Sequence, residues 1–160
     1  MRRSTGLCLL LLSLLMASNA GAREFEGHAI VRSDGSLLIN NRVVHLFGIY
    51  LPSTNRQCRA WISPVRCDER GVLALDFIVK GFITCFERAQ TADGKLEATC
   101  YRDRSSFDPG IDLAAYLIER GWALARPEAP FEYHALERIA RTQEVGVWGW
   151  QVDSVTAPGR

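Results

Sequence analysis

Between Phe25 and Ile49 the apolar residues fall in three short β-prone runs, joined by turns too tight to leave much choice of partner. Phe25 to Arg32 carries Phe25, Ala29 and Val31 on one alternation. Leu37-Leu38-Ile39 follows, and Arg42 to Ile49 is the third run. The connections are Ser33-Asp34-Gly35-Ser36 and Asn40-Asn41, both of turn composition. Strands this close in sequence pair as an antiparallel meander. In the third run Val44, Leu46 and Phe47 are β-prone, Gly48 allows a bulge or a close backbone approach, and Pro52 ends the pairing.

The rest of the chain adds helices and one more hairpin. Leu51 to Ser63 reads as a loop holding Pro52, Asn55, Cys58 and Trp61. Ser63 caps a helix with Pro64 in its first turn, and Val72, Leu75, Ile78 and Val79 form its apolar stripe before Gly81 ends it. Phe82 to Phe86 and Lys95 to Tyr101 are strands about the turn Thr91-Ala92-Asp93-Gly94, which carries the Asp-Gly hairpin signal. Ile111 to Arg120 is a second helix, stopped by Gly121, and Trp122 to Ala125 is extended. Glu132 to Glu144 is a third helix with Leu136, Ile139 and Ala140 facing inward, stopped by Gly146; Val147 to Trp150 docks back on the body. This order predicts an α+β domain, a five-stranded antiparallel OB-type barrel with three helices.

The ends and the cysteines bear on where the protein works. Met1-Arg2-Arg3, the apolar run Leu7 to Ala17 and the small residues Ala20-Gly21-Ala22 have the pattern of a secretory signal peptide over 1–22. A membrane anchor is the alternative, but the run is short for a bilayer span. The folded domain is then expected over 23–150, with a tail at 151–160, and the product is secreted or periplasmic with no stable anchor after cleavage. Cys8 leaves with the leader. Cys58, Cys67, Cys85 and Cys100 remain, an even number that implies two disulfides in an oxidising compartment. Three pairings are possible. Centring the second hairpin on its turn favours Cys85 with Cys100, and so Cys58 with Cys67. A zinc site competes, but the cysteines lack paired C-x2-C spacing and have no nearby histidine. Of the 19 basic residues Arg2 and Arg3 also leave with the leader, so 17 face 18 acidic ones. Near-neutrality argues against strong non-specific binding to nucleic acid.

Val44-x-Leu46-x-Gly48-Ile49-x-x-Pro52, Gln57-Cys58 with Cys67, Thr84-Cys85, Ala98-Thr99-Cys100, Asp112-Leu113 with Leu117, Gly121-Trp122-Ala123 and Gly146-x-Trp148 together resemble the staphylococcal-nuclease-like (thermonuclease) family over about residues 25–150. The paired cysteines resemble its secreted bacterial branch. The resemblance implies the same barrel and, in the family, calcium-dependent phosphodiester hydrolysis. That chemistry uses two metal-binding aspartates, a glutamate that orients water and two phosphate-binding arginines. Here the matching positions hold Gly35 (or Ser36, one residue along), Tyr50, Ser53, His45 and Lys95. Lys95 keeps a cation without the bidentate fork, and Asp34 is the one carboxylate nearby. Loss of a single preorganised group typically lowers a rate by about 10²–10³; loss of the metal carboxylates and the glutamate together implies loss of the reaction, with no confident catalytic residue and no calcium site.

His45, Tyr50 and Lys95 remain as ligand-binding candidates. The alternative for His45 and Tyr50 is packing against the barrel, and for Lys95 plain solvation. Trp61, Trp148 and Trp150 can stack a base or a sugar, or seal a core. His28 and His134 have no partner at a recognisable spacing. Three functions follow: an exported binding or interaction module that has lost catalysis, with nucleic acid, glycan or an envelope protein as partner; a diverged nuclease with a site rebuilt from Asp34, His45, Tyr50 and Lys95; or a structural envelope protein. An aromatic and arginine face would favour the first, and a regathered cluster of carboxylates the second.

Overall fold

A computed structural model of the chain describes residues 22–52, 66–91 and 93–149. The elements run β1 (Glu24–Val31), β2 (Leu37–Ile39), β3 (Arg42–Leu46), β4 (Ile49–Tyr50), α1 (Cys67–Ile78), β5 (Phe82–Gln90), β6 (Leu96–Arg102), β7 (Ile111–Asp112), α2 (Leu113–Glu119), β8 (Leu124–Ala125) and α3 (Phe131–Thr142), with a 3-10 turn at Gly146–Gly149. The meander forms in the register that its turns dictate, Ala29 opposite Ile39 and Leu37 opposite Val44. Asn40 and Asn41 both take positive φ, 50° and 61°, which the hand of a two-residue hairpin requires and asparagine tolerates.

β1 then pairs with β5, β5 with β6, and β6 with β3, so the five strands close on themselves as an OB-type barrel. The barrel is mixed and not purely antiparallel. An odd number of strands cannot alternate in direction all the way round a ring, so one neighbouring pair must run parallel. That pair is β3 with β6, Val44 beside Leu96 and His45 beside Glu97.

Alternation along these strands aims one face inward. Leu37, Ile39, Val44, Ile83, Cys85 and Cys100 are fully buried, and the helices close the core with Leu75, Leu113 and Leu117. Cys85 and Cys100 face each other across the hairpin and are bonded. The pairing of Cys58 with Cys67, the Ser63-Pro64 helix start, the leader and the tail lie outside the described residues. Among the described residues no helix is long and apolar enough to cross a membrane.

Several element boundaries differ from expectation; of Trp122 to Ala125, only Leu124–Ala125 is a strand. The third strand leaves the barrel at Leu46: Gly48 turns the chain with φ +75°, and Ile49–Tyr50 pairs instead with β8. A Cβ at Gly48 would lie 3.3 Å from Ala129, so the turn passes close under the approach to α3. β5 runs on to Gln90, through a bulge between Glu87 and Ala89. The second helix starts at Leu113, because Ile111–Asp112 extends the sheet beside β6 and Asp112 caps the helix, accepting from the amides of Ala114 and Ala115. The third helix spans Phe131–Thr142, and its inward stripe is Tyr133, Leu136, Glu137 and Ala140, while Ile139 is exposed. A glutamate sits at an inward position because its carboxylate is satisfied there: it accepts from the Ala125 amide at 2.7 Å and from Arg141.

The Cys85–Cys100 bond spans 15 residues, a loop whose closure in the unfolded chain is worth about 3 kcal/mol. Selective loss of this bond by Cys85→Ala with Cys100→Ala is expected to lower unfolding free energy by about 3 kcal/mol or more. Urea denaturation of the oxidised parent and the double variant checks it.

Candidate functional site

Of the positions singled out in the sequence, Asp34, beside Gly35, lies near His45, whereas Lys95 pairs with Asp93 and Tyr50 packs in an aromatic cluster. Gly35 sits in the β1–β2 turn with φ +78°, and a Cβ there would lie 2.4 Å from Leu51 Cδ1. The turn is packed against Leu51 in the segment leaving β4, and its positive φ favours glycine. Its neighbour Asp34 uses Oδ1 to accept from the Ser36 amide at 3.0 Å and the Ser36 hydroxyl at 2.6 Å. Partial burial pushes the Asp34 carboxyl up, but these bonds, with Arg32 and His45 nearby, hold it below the usual carboxylate range.

His45 lies between the inward-facing Val44 and Leu46, and so points outward from the middle of β3. Its neighbour on β6 is Glu97. Glu97 is almost fully buried although it shares the outward phase of the strand, because Arg126 covers it with an ion pair of 2.6 Å. The Arg126 amide also donates to the Gly48 carbonyl at 2.8 Å. One residue between β8 and α3 thus ties the strand exit to the β3–β6 seam. Glu97 and Arg126 went unrecognised in the sequence. Alternation about Leu96, Ala98 and Cys100 places Glu97 outward, and the parity of a five-stranded ring places it beside β3. Nothing local marks Arg126.

Lys95 lies two residues before Glu97, at the mouth of the β5–β6 turn, with its ammonium 2.6 Å from Asp93 and both side chains well exposed. The Lys95 ammonium, together with the Thr91 hydroxyl, holds the Asp93 carboxyl down to about 2. Beside this turn opens a cleft of about 320 Å³ between it and the start of β3, lined by Arg42, Val43, Glu87, Gln90, Lys95 and Leu96 among others.

Tyr50 is elsewhere. It packs with Trp122 and Trp148 on a small second core of Leu124 and Val147. Burial and the Glu137 carboxylate raise its phenol above the ordinary range, partly offset by Arg141. Arg141 in turn lies 4.1 Å from the Trp148 ring centroid. Trp148 therefore helps to seal a core. His28 stacks on Phe82 with ring centroids 4.3 Å apart. Ser53, Trp61 and Trp150 lie outside the described residues.

A different outward surface gathers aromatics and arginine. Phe86 and Tyr101 meet edge to face at 6.0 Å, and the Arg104 guanidinium lies over both rings at 4.7 and 5.2 Å. Arg88 donates to the Thr99 hydroxyl beside them. Calcium, implied by the resemblance, does not fit the residues present. Gly35 offers no side chain, Tyr50 is a half-buried phenol in another cluster, and Asp34 already accepts twice from Ser36. Among the described residues no three His, Cys, Asp or Glu side chains gather as a metal-binding group. In comparison with known proteins the chain matches no family model and no curated sequence.

Two outcomes follow from this geometry. Arg126→Ala removes both the partner and the cover of the Glu97 carboxylate, and is expected to lower stability by about 1 kcal/mol, read as a fall in the thermal midpoint. The Asp93 carboxyl titrates near 2 in the folded protein, below its ordinary 3.8, so what the Asp93–Lys95 pair contributes is present above that ordinary value and is lost as pH falls toward 2. Lys95→Ala is expected to move the Asp93 midpoint upward, followed by NMR titration of its side-chain carboxyl.

Proposed function

We propose that this chain is an exported thermonuclease-like domain that has given up calcium-dependent phosphodiester hydrolysis and serves as a binding module. The observation that carries this reading is where the replaced positions point. Lys95 is engaged by Asp93, His45 stands beside the Arg126-covered Glu97, and Tyr50 belongs to a separate aromatic cluster beside α3. A phosphoryl-transfer site needs cations and metal carboxylates aimed at one phosphorus, and these residues are engaged with separate partners.

Two further observations support it. The aromatic and arginine surface of Phe86, Tyr101 and Arg104 is the kind of face that takes ligands without chemistry. OB-type barrels bind oligonucleotides and oligosaccharides through one strand face and the turns around it, an analogy that places a surface without choosing its ligand. Export is supported by the leader pattern in 1–22 and by the Cys85–Cys100 disulfide, which suits a secreted or periplasmic compartment.

Incubation of the oxidised protein with denatured DNA and RNA, with calcium and with chelator, is expected to give no cleavage in either condition. Calcium-dependent cleavage that disappears in Tyr50→Phe or Lys95→Ala would overturn the proposal and reveal a rebuilt nuclease site.

A further inference from the structure

We infer that the cleft between the β5–β6 turn and the start of β3 is a binding site for a neutral, hydroxyl-rich sugar unit. The inference rests on the binding-module reading and names its ligand. The cleft holds about 320 Å³, at the lower end of the range of about 300–1,000 Å³ for small-ligand sites.

Its charges decide the class of ligand. Arg42 and Lys95 are the cations in the wall, and Glu87 and Asp93 are the carboxylates, so the formal sum is zero. A phosphate or sulfate entering here gains two cations and meets two anions. It must also displace Asp93 from Lys95, where the pair is already closed at 2.6 Å. An anion therefore gains little from this cleft, whereas a neutral ligand leaves the internal pairing intact.

The hydrogen-bonding state of the wall then points to hydroxyl groups. Glu87 Oε2 is buried and has no hydrogen-bond partner. The nearest cation, Arg42 Nη2, is 3.9 Å away, beyond hydrogen-bond reach. A buried acceptor left open is unfavourable until a donor arrives. A sugar hydroxyl is both donor and acceptor: one hydroxyl of a diol donates to the Glu87 carboxylate, whose side chain is 27% exposed, and its neighbour accepts from the Arg42 guanidinium. The Gln90 amide offers another donor and acceptor, and Val43 and Leu96 supply apolar wall for the C–H faces of a ring. Arg42 is held in place from the other side, its guanidinium 4.9 Å from the Phe25 ring centroid. The bulge between Glu87 and Ala89 is the kind of irregularity that re-aims a strand side chain.

The test uses the oxidised protein, labelled for amide NMR. The probes are three neutral tetrasaccharides (maltotetraose, cellotetraose and tetra-N-acetylchitotetraose) and two anionic oligomers (a heparin tetrasaccharide and pentathymidylate). At least one neutral probe is expected to shift the amides of Val43, Gln90 and Gly94. Glu87→Ala is expected to weaken that probe about tenfold or more. Gln90→Ala, at an exposed position, gives a second variant whose folding does not depend on the strand carboxylate; it is expected to weaken binding less, with an unchanged thermal midpoint. Shifts of these amides by the anionic probes alone would overturn the neutral-ligand inference and leave the binding module standing. So would neutral-probe shifts confined to the Phe86, Tyr101 and Arg104 surface. No shift with any neutral probe also overturns the inference, whereas failure of the binding-module reading is read separately, as calcium-dependent cleavage of nucleic acid.

Discussion

The parallel seam between β3 and β6 is the contact on which the rest of the molecule depends. Two pairings in the barrel join strands more than fifty residues apart, β1 with β5 and this one, and this one closes the ring, Val44 to Leu96 and Leu46 to Ala98. Contacts this distant in sequence carry a loop-closure penalty that grows with the length closed. The seam is accordingly reinforced: Val44 and Ala98 are fully buried, the Phe47 amide donates to the Ala98 carbonyl at 2.9 Å, and Arg126 covers Glu97 beside it. The same seam sets His45 next to Glu97, and Lys95 within reach of the start of β3. The floor of the candidate cleft is thus a consequence of how the barrel closes.

The C-terminal part is fastened to this barrel by polar groups that leave no acceptor idle. Asp112 is the clearest case. Its Oδ1 caps α2 by accepting from the Ala114 and Ala115 amides, and its Oδ2 accepts from the Tyr133 hydroxyl of α3 at 2.7 Å. One carboxylate therefore sets the start of one helix and the approach of the next. Burial raises the Asp112 carboxyl above its ordinary value despite these bonds, and the Tyr133 phenol is pushed far up by burial and by Asp112 itself. Glycine does complementary work where backbones meet. A Cβ at Gly121 would lie 2.2 Å from the Val145 carbonyl oxygen, and one at Gly146 would lie 2.4 Å from that of Arg120. The turns after α2 and α3 pass each other at a distance that excludes any side chain.

What the sequence made legible is what local chemistry controls. The meander, the Asp-Gly hairpin and the facing cysteines were readable because two-residue and four-residue turns fix register, and register fixes which residues face each other. The α1 stripe was readable from its period. Legibility stopped where a tertiary partner overruled the local pattern. Ile139 was expected inside because it is apolar, yet Glu137 takes the inward place, satisfied by the Ala125 amide and Arg141. Ile111-Asp112 read as helix because a helix follows at once, and the sheet claims both residues. For the candidate site, His45, Tyr50 and Lys95 could be named one by one from the sequence, but the partner that each takes was invisible there. Lys95 and Asp93 are close in sequence and meet; the companions of Tyr50, by contrast, are Trp122 and Leu124 and the 3-10 turn's Val147 and Trp148, far along the chain. The cleft needs Arg42, Glu87 and Gln90 together, and only the closed barrel brings them there.

The use made of arginine explains why a chain with so many of them need not be a phosphate binder. Arg42, Arg126 and Arg141 each face a carboxylate, Glu87, Glu97 and Glu137, that is itself wholly or partly buried. Arg120 lies 3.7 Å from the Tyr116 ring centroid, and Arg104 covers Phe86 and Tyr101. A guanidinium suits these places because its flat, weakly hydrated face stacks on rings while its fork still meets a carboxylate. Exposed pairs such as Arg66 with Asp68 add little, but those over buried carboxylates are structural. Polyanion affinity scales with the number of cations free to release counterions, and a cation already facing its own carboxylate releases few. Arg42 and Arg126, which face Glu87 and Glu97, consequently shape local polarity without building a basic groove. That leaves hydrogen-bond geometry, and not net charge, to select what the barrel binds.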